Sequence, residues 1–253
     1  KRIKELGLEH MEVEFVHGVR MSKEKAIEVG KTASDLGVTL TIHAPYYINL
    51  NALDPQKREA SRQRIMESCE IGKLMGVKSV CFHAAFNLSQ KSEQVMETVL
   101  SEMIMIEDDL KEKSIDDLYL APEITGKPTQ FGSLEELIAL ANNLERTRLC
   151  VDFAHYFARE SGKNNSESDF RNLIKNIKAE LGQTVVDNLH MHFSGIEYSS
   201  KGEKNHVELA KTHFNWQGML KVLHEEHVGG YLVCESPILE EDALKAKNYF
   251  AGL

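Results

Sequence analysis

The sequence predicts an α/β protein of the (β/α)8 TIM-barrel class that lacks its first strand at the N-terminus of this chain. Three observations predict it. Short apolar runs alternate with helix-periodic stretches from end to end, which favours a parallel sheet. Nearly every apolar run ends in a histidine, aspartate or glutamate, as happens where a barrel builds its site from strand ends. The length, 253 residues, suits one such barrel, so a single domain over residues 1–253 is expected. An open doubly wound sheet would give no reason to collect polar residues at so many strand ends.

In chain order, Lys1–Leu6 reads as the tail of a helix, and strand-like runs follow at Met11–Val16, Thr39–Ala44, Ser79–Ala84, Leu118–Glu123, Arg148–Phe153, Asn188–Ser194 and Tyr231–Ser236. Between them, Lys23–Leu36 ends at Gly37, Gln56–Leu74 ends at Gly76, and Ser133–Asn143 opens on Ser-Leu-Glu-Glu, a helix N-cap pattern. Seven strands close an eight-stranded barrel only if one is missing. The expectation is that the natural protein carries roughly 20–40 further N-terminal residues holding the first strand and most of its helix.

Composition narrows the function. A net charge of −9 argues against a generic nucleic-acid coat protein, though it leaves room for a locally positive site. No run of about 18 apolar residues suggests a membrane span and no secretory signal is visible, so a cytoplasmic protein without a membrane partner is expected. Cys69, Cys81, Cys150 and Cys234 lack CxxC spacing and three lie in apolar runs; they read as reduced packing residues.

The strand tips carry the chemistry. Leu149–Phe157 places Asp152 at the end of an apolar run and His155 three residues later, in the loop after the strand. Parity puts His43, His83, Glu123, Asp152, His192 and Glu235 on one face, with Thr41, Cys81, Ala121, Cys150, His190 and Val233 one layer below. His190 reads as a buried structural histidine. Glu123, Asp152, His192 and Glu235 form a mixed carboxylate and imidazole set, and His43 with His83 add a nitrogen-rich one that suits Zn²⁺. Three buried carboxylates without cations would be forced toward protonation, at a cost of several kcal/mol, so a cluster of more than one metal is expected.

Ile42-His43-Ala44-Pro45-Tyr46-Tyr47-Ile48-Asn49-Leu50, Phe82-His83, Glu123-Ile124-Thr125-Gly126-Lys127, Cys150–His155, His192-Phe193-Ser194 and Glu235-Ser236-Pro237, taken together and in this order, resemble the endonuclease IV family of apurinic/apyrimidinic endonucleases, within the xylose-isomerase-like barrels. The likeness covers nearly the whole chain. It implies zinc, two to three ions per chain: His43, His83 and Glu123 on the first, Glu123, Asp152, His192 and Glu235 on the second, with Glu123 bridging. A third would take His155 and an Asp-x-His pair after the sixth strand. There the sequence departs, since Gly202–Val207 supplies His206 but has Lys204 where the aspartate belongs. Glu203 substitutes if the loop is shifted by one residue; otherwise Lys204 meets a phosphate directly.

The resemblance implies phosphodiester hydrolysis 5′ to an abasic site in double-stranded DNA, leaving a 3′-hydroxyl. Paired zinc ions make a nucleophile available near neutral pH and offset the phosphate charge. Glu123 and Glu235 are the catalytic candidates, Glu235 orienting the nucleophile while the His155/His206 side stabilises the leaving group. Tyr46 and Tyr47 lie where the family inserts side chains at the lesion, with Arg20, Lys127 and Lys204 as further DNA contacts; a monomer is expected.

The alternative is a sugar isomerase or epimerase of the same barrel group, using Glu123, Asp152, His192 and Glu235 for one Mn²⁺ or Mg²⁺ and two carboxylates as proton shuttles. His43, His83 and His155 are superfluous to it. A non-catalytic metal-binding relative is the third reading. Elsewhere, Phe214–Leu223 reads as an amphipathic helix with Trp216 in packing, Glu107-Asp108-Asp109 and Glu240-Glu241-Asp242 as solvated helix faces or starts, and Lys163–Ser168 as a mobile loop.

Overall fold

The structure, a computed structural model, describes residues Lys1–Leu253. Two compact units are present: Lys1–Glu123 with Glu135–Leu149, and Ile124–Leu134 with Cys150–Leu253.

The first unit is built on four parallel strands, β1 (His10–Glu14), β2 (Thr39–His43), β3 (Ser79–Phe82) and β4 (Tyr119–Pro122), paired in that order. β2, β3 and β4 are buried along nearly their whole length. They therefore read as continuous apolar runs rather than alternating ones, as expected when helices cover a parallel sheet. Helices lie between the strands. Ser22 caps Lys23–Asp35 by accepting from the Lys25 amide. Asp54 caps Pro55–Met75, with proline in its first turn and Gly76 ending it at φ 73°. Ser92–Glu112 follows β3, and Leu134–Asn143 follows β4.

The second unit carries three parallel strands, β5 (Cys150–Asp152), β6 (Leu189–Phe193) and β9 (Gly230–Cys234), with β6 central and wholly buried. It also holds an antiparallel hairpin, β7 (Gly195–Ser199) with β8 (Gly202–Val207). Around them lie the helices Phe153–Arg159, Glu167–Leu181, Trp216–Glu225 and Glu240–Phe250.

All seven expected strands are present; β1 and β9 begin one residue earlier than expected, and every strand ends one or two residues before its expected C-terminal end, where the chain leaves the ladder at the tips. Four details differ from the sequence reading. The loop after β5 is a helix, since Asp152 Oδ1 accepts the His155 amide at 2.6 Å and caps Phe153–Arg159. Lys163–Ser168 runs into a helix start, where Ser166 and Asp169 form a capping box. Glu107 is not solvated: it is buried and accepts from the amides of Glu145 and Arg146 and from the Thr147 hydroxyl. Asp242 is likewise buried, accepting from Ser236 Oγ at 2.7 Å, the Leu209 amide at 2.8 Å and Lys245 Nζ at 2.6 Å. Helical periodicity shows one apolar face but does not say when a neighbouring loop folds back over the other.

Candidate metal centres

In the first unit, Glu123 follows the last residue of β4, and its amide donates to the Phe82 carbonyl at 3.0 Å. Its Oε2 lies 3.2 Å from Nε2 of His43 and 3.2 Å from Nε2 of His83, and Cys81 Sγ–H donates to the same oxygen at 3.3 Å. The His43 Nδ1–H donates to the Ala44 carbonyl at 2.8 Å. A carbonyl only accepts, so in the neutral ring Nε2 carries a lone pair facing a carboxylate. A proton or a metal ion has to stand between them. Zinc bonds of about 2.0–2.1 Å put tetrahedral ligand atoms about 3.3 Å apart, the spacing found here, and a second ring nitrogen held by a carbonyl is the usual support for a zinc histidine. The residues fit such an ion.

The strand register corrects one expectation. His43 is level with Cys81, and Cys81 with Ala121, so His43 stands one tier below His83 and Glu123 rather than beside them. Parallel strands that twist and tilt are staggered along their axes, and parity cannot report the stagger.

In the second unit, Asp152 is level with His192, and His192 with Val233; Glu235 stands two residues further along the chain. Asp152 Oδ2 is buried and accepts no hydrogen bond, although His155 Nδ1 lies 3.3 Å away. His192 Nδ1 is 3.4 Å from Glu235 Oε1 and its Nε2 is 3.2 Å from Nε2 of His190; His190 is buried as expected. His155 donates from Nδ1 to the Ile124 carbonyl at 3.0 Å, and His206 from Nδ1 to the Glu235 carbonyl at 3.2 Å. Their Nε2 atoms then face each other at 3.3 Å. Asp152, His155 and His206 offer ligand atoms within 4.8 Å of one another. This set also fits a metal ion.

The candidate DNA contacts fall outside these clusters. Tyr46 and Tyr47 are 52 % and 62 % exposed, with Tyr47 stacked on His17 and Tyr46 edge-on to His43. Arg20 is exposed and, with Phe15, His17 and Lys25, lines an open cavity of about 450 Å³. Lys127 is half-buried, its carbonyl accepting from Arg159 at 2.8 Å. Lys204 is exposed. None of the four cysteines is in a disulfide, and burial raises the thiols of Cys69 and Cys234, the latter to about 12; these two stay neutral packing groups. Sequence reasoning missed the hairpin β7–β8 and the half-buried Arg159, which donates to Thr125, Lys127 and Gln130 and holds the loop after Glu123. The hairpin carries only the short alternation Ile196-Glu197-Tyr198 in β7 and none in the polar β8, so that run and the Gly202 turn were its only signals.

The model of the xylose isomerase-like TIM barrel family matches residues 1–251. An uncharacterized protein of Methanocaldococcus jannaschii is 35 % identical over 242 residues, 96 % of this chain and 87 % of that one. A probable endonuclease 4 of Mycoplasma pneumoniae is 21 % identical over 83 % of this chain and 70 % of its own length. Among solved structures, a D-tagatose 3-epimerase-like protein superposes with a TM-score of 0.76 at 14 % identity, covering 99 % of this chain and 90 % of that one. Endonuclease IV of Thermus thermophilus superposes at 0.72 and 18 %, covering 99 % and 91 %. Such likeness shows the fold alone. No helix is long and apolar enough to cross a membrane. By the extent of the family match, this chain belongs to the xylose isomerase-like TIM barrels.

Proposed function

We propose that this protein is a zinc-dependent phosphodiester hydrolase that nicks double-stranded DNA 5′ to abasic sites, leaving a 3′-hydroxyl. The observation that carries the reading is the triad His43, His83 and Glu123, in which two imidazole nitrogens converge on one buried carboxylate oxygen, each at 3.2 Å. A single-metal isomerase has no use for this nitrogen-rich set. The relative named probable endonuclease 4 supports the substrate class.

Zinc, when bound, supplies Lewis acidity that acidifies water and offsets phosphate charge. The chain supplies the rest. Glu235, its amide bonded to the Phe193 carbonyl at 3.0 Å and its carboxylate mostly buried beside His192, orients the attacking water and takes its proton. In this reading His155 and His206 stabilise the leaving oxygen. Tyr46 and Tyr47 give exposed rings for the unstacked step at the lesion, which is cheaper to open at an abasic site. Arg20, Lys127 and Lys204 contact the phosphates.

A second reading draws on Asp152, His192 and Glu235, three of the four residues, with Glu123, that a sugar isomerase or epimerase would use for one Mn²⁺ or Mg²⁺. The deciding experiment is metal content of protein purified without chelator, run beside nicking of a duplex carrying one abasic site. Two or three zinc per chain with lesion-dependent nicking supports the proposal. One manganese or magnesium with ketose epimerisation replaces it, and zinc with DNA binding but no nicking makes the protein a non-catalytic relative.

A further inference from the structure

We propose that His190 is a positioning residue for metal binding: it accepts the Nε2–H of His192 and so turns the Nδ1 lone pair of His192 toward Glu235. This rests on reading Asp152, His192 and Glu235 as ligands of one ion. Both histidines lie on β6, the central strand of the second unit, and being two residues apart they share a face. His192 is level with Asp152, and His190 is level with Cys150, one tier deeper. They are 0 % and 3 % exposed, so bulk water does not compete for the contact between them.

Their Nε2 atoms are 3.2 Å apart, with ring centroids at 4.9 Å and planes inclined at 79°. Two imidazole nitrogens at that distance share one hydrogen, so one ring donates and the other accepts. The choice matters at the far side of His192, where Nδ1 lies 3.4 Å from Glu235 Oε1. In an uncharged ring the two nitrogens take opposite roles. If His192 donates from Nε2, its Nδ1 offers a lone pair beside the Glu235 carboxylate, as a cation requires. If His190 donates instead, Nδ1 of His192 carries a hydrogen toward Glu235, and the place of the ion is taken. A bound ion selects the first arrangement, which makes His190 Nε2 the acceptor behind the ligand.

Metal-binding histidines commonly give their other N–H to a carbonyl or a carboxylate. Here the acceptor is a second ring. Asp152 and Glu235 already concentrate negative charge on this buried face, and a further carboxylate beneath His192 would add another desolvated anion; an imidazole accepts without doing so. The contact also fixes ring rotation. Turning the His192 ring over would set a carbon against His190 Nε2 and lose the bond.

The test uses full-length protein loaded with Zn²⁺ alone. Proton–nitrogen correlation spectra of the histidine rings, with His190 and His192 assigned by their loss in His190→Gln and His192→Gln, show the hydrogen on Nε2 of His192 and a bare Nε2 on His190. Competition against a chelator then compares variants whose metal-free stability is followed by urea unfolding. His190→Phe keeps a ring but removes the acceptor; it weakens one zinc equivalent about 10- to 100-fold, the range for groups that support metal ligands, and leaves the others unchanged. His190→Gln, whose amide oxygen reaches the Nε2 position, recovers most of that loss whatever either variant does to stability. A hydrogen on Nε2 of His190, full zinc affinity in His190→Phe, or a His190→Gln variant as weak as His190→Phe each overturns the proposal. Should His190→Phe fail to fold, the spectrum of the parent protein decides. If Glu123→Gln loses zinc and nicking while His190→Phe binds zinc as the parent does, His190 is a packing residue and the hydrolase reading stands; a parent protein that holds no zinc sinks both.

Discussion

Nε2 of His43 lies 3.2 Å from Oε2 of Glu123 while the opposite nitrogen of the same ring donates to the Ala44 carbonyl. The contact joins lone pair to lone pair unless a proton or metal intervenes, which makes it a sensor of what occupies the cluster. Glu123→Gln turns the acceptor into a neutral amide. The expected outcome is loss of bound zinc and a fall in nicking of at least about a hundredfold, beyond the range seen for groups that merely support metal ligands. Retained nicking with wild-type metal content would remove this cluster from the chemistry.

Chelation tests both clusters at once. A metal bound only by the native state at about a hundred times its Kd adds about 2.7 kcal/mol, or several degrees of Tm at this chain length. EDTA treatment followed by dialysis is expected to lower Tm and added Zn²⁺ to restore it. A Tm indifferent to both treatments would mean that the ring nitrogens are held by protons alone.

Asp242 contributes through its charge. Burial works against its carboxylate, but the bonds from Lys245, the Leu209 amide and Ser236 outweigh it and hold the pKa below the usual value. The stability it provides is therefore complete above the unfolded value of about 3.9 and is lost as pH falls through the lower folded value. Asp242→Asn is expected to cost about 1–3 kcal/mol near neutral pH and progressively less in acid, measured by urea unfolding. A difference that does not shrink in acid would show that shape, not charge, is at stake.

Gly126→Ala places a methyl group 2.6 Å from the Glu203 Cβ. Overpacking of this kind costs about 1–3 kcal/mol, and here the strain falls on the hairpin that carries Glu203 and His206. The expected result is a loss of stability of that size, read by urea unfolding. Unchanged stability would mean that the loop after β4 yields freely.

Tyr46 and Tyr47 are more than half exposed. Replacing both with alanine should leave stability within about 0.5 kcal/mol, as for other surface changes, while weakening binding to abasic duplex more than to undamaged duplex. A loss of several kcal/mol would instead assign them to packing.

The seven parallel strands, their chain order and the polar residue at six of their tips were legible in the sequence, because apolar runs ending in His, Asp or Glu are local patterns. The identity of His43, His83 and Glu123 as one group was legible only through their shared position at strand ends, and the spacing of their atoms was not. Three things were decided by tertiary structure. The stagger that drops His43 one tier below Glu123 comes from pairing between strands about 40 residues apart. The burial of Glu107 and Asp242 comes from distant amides, Arg146 and Leu209, that need a carboxylate where they pass. The turning of Glu203 onto the face of His206, with Lys204 left exposed, comes from a single extra residue in the β8 ladder. Sequence specifies which side chains are available every second residue; long-range pairing sets the register, and one residue of register decides which of two neighbours, a cation or a carboxylate, shares a face with His206.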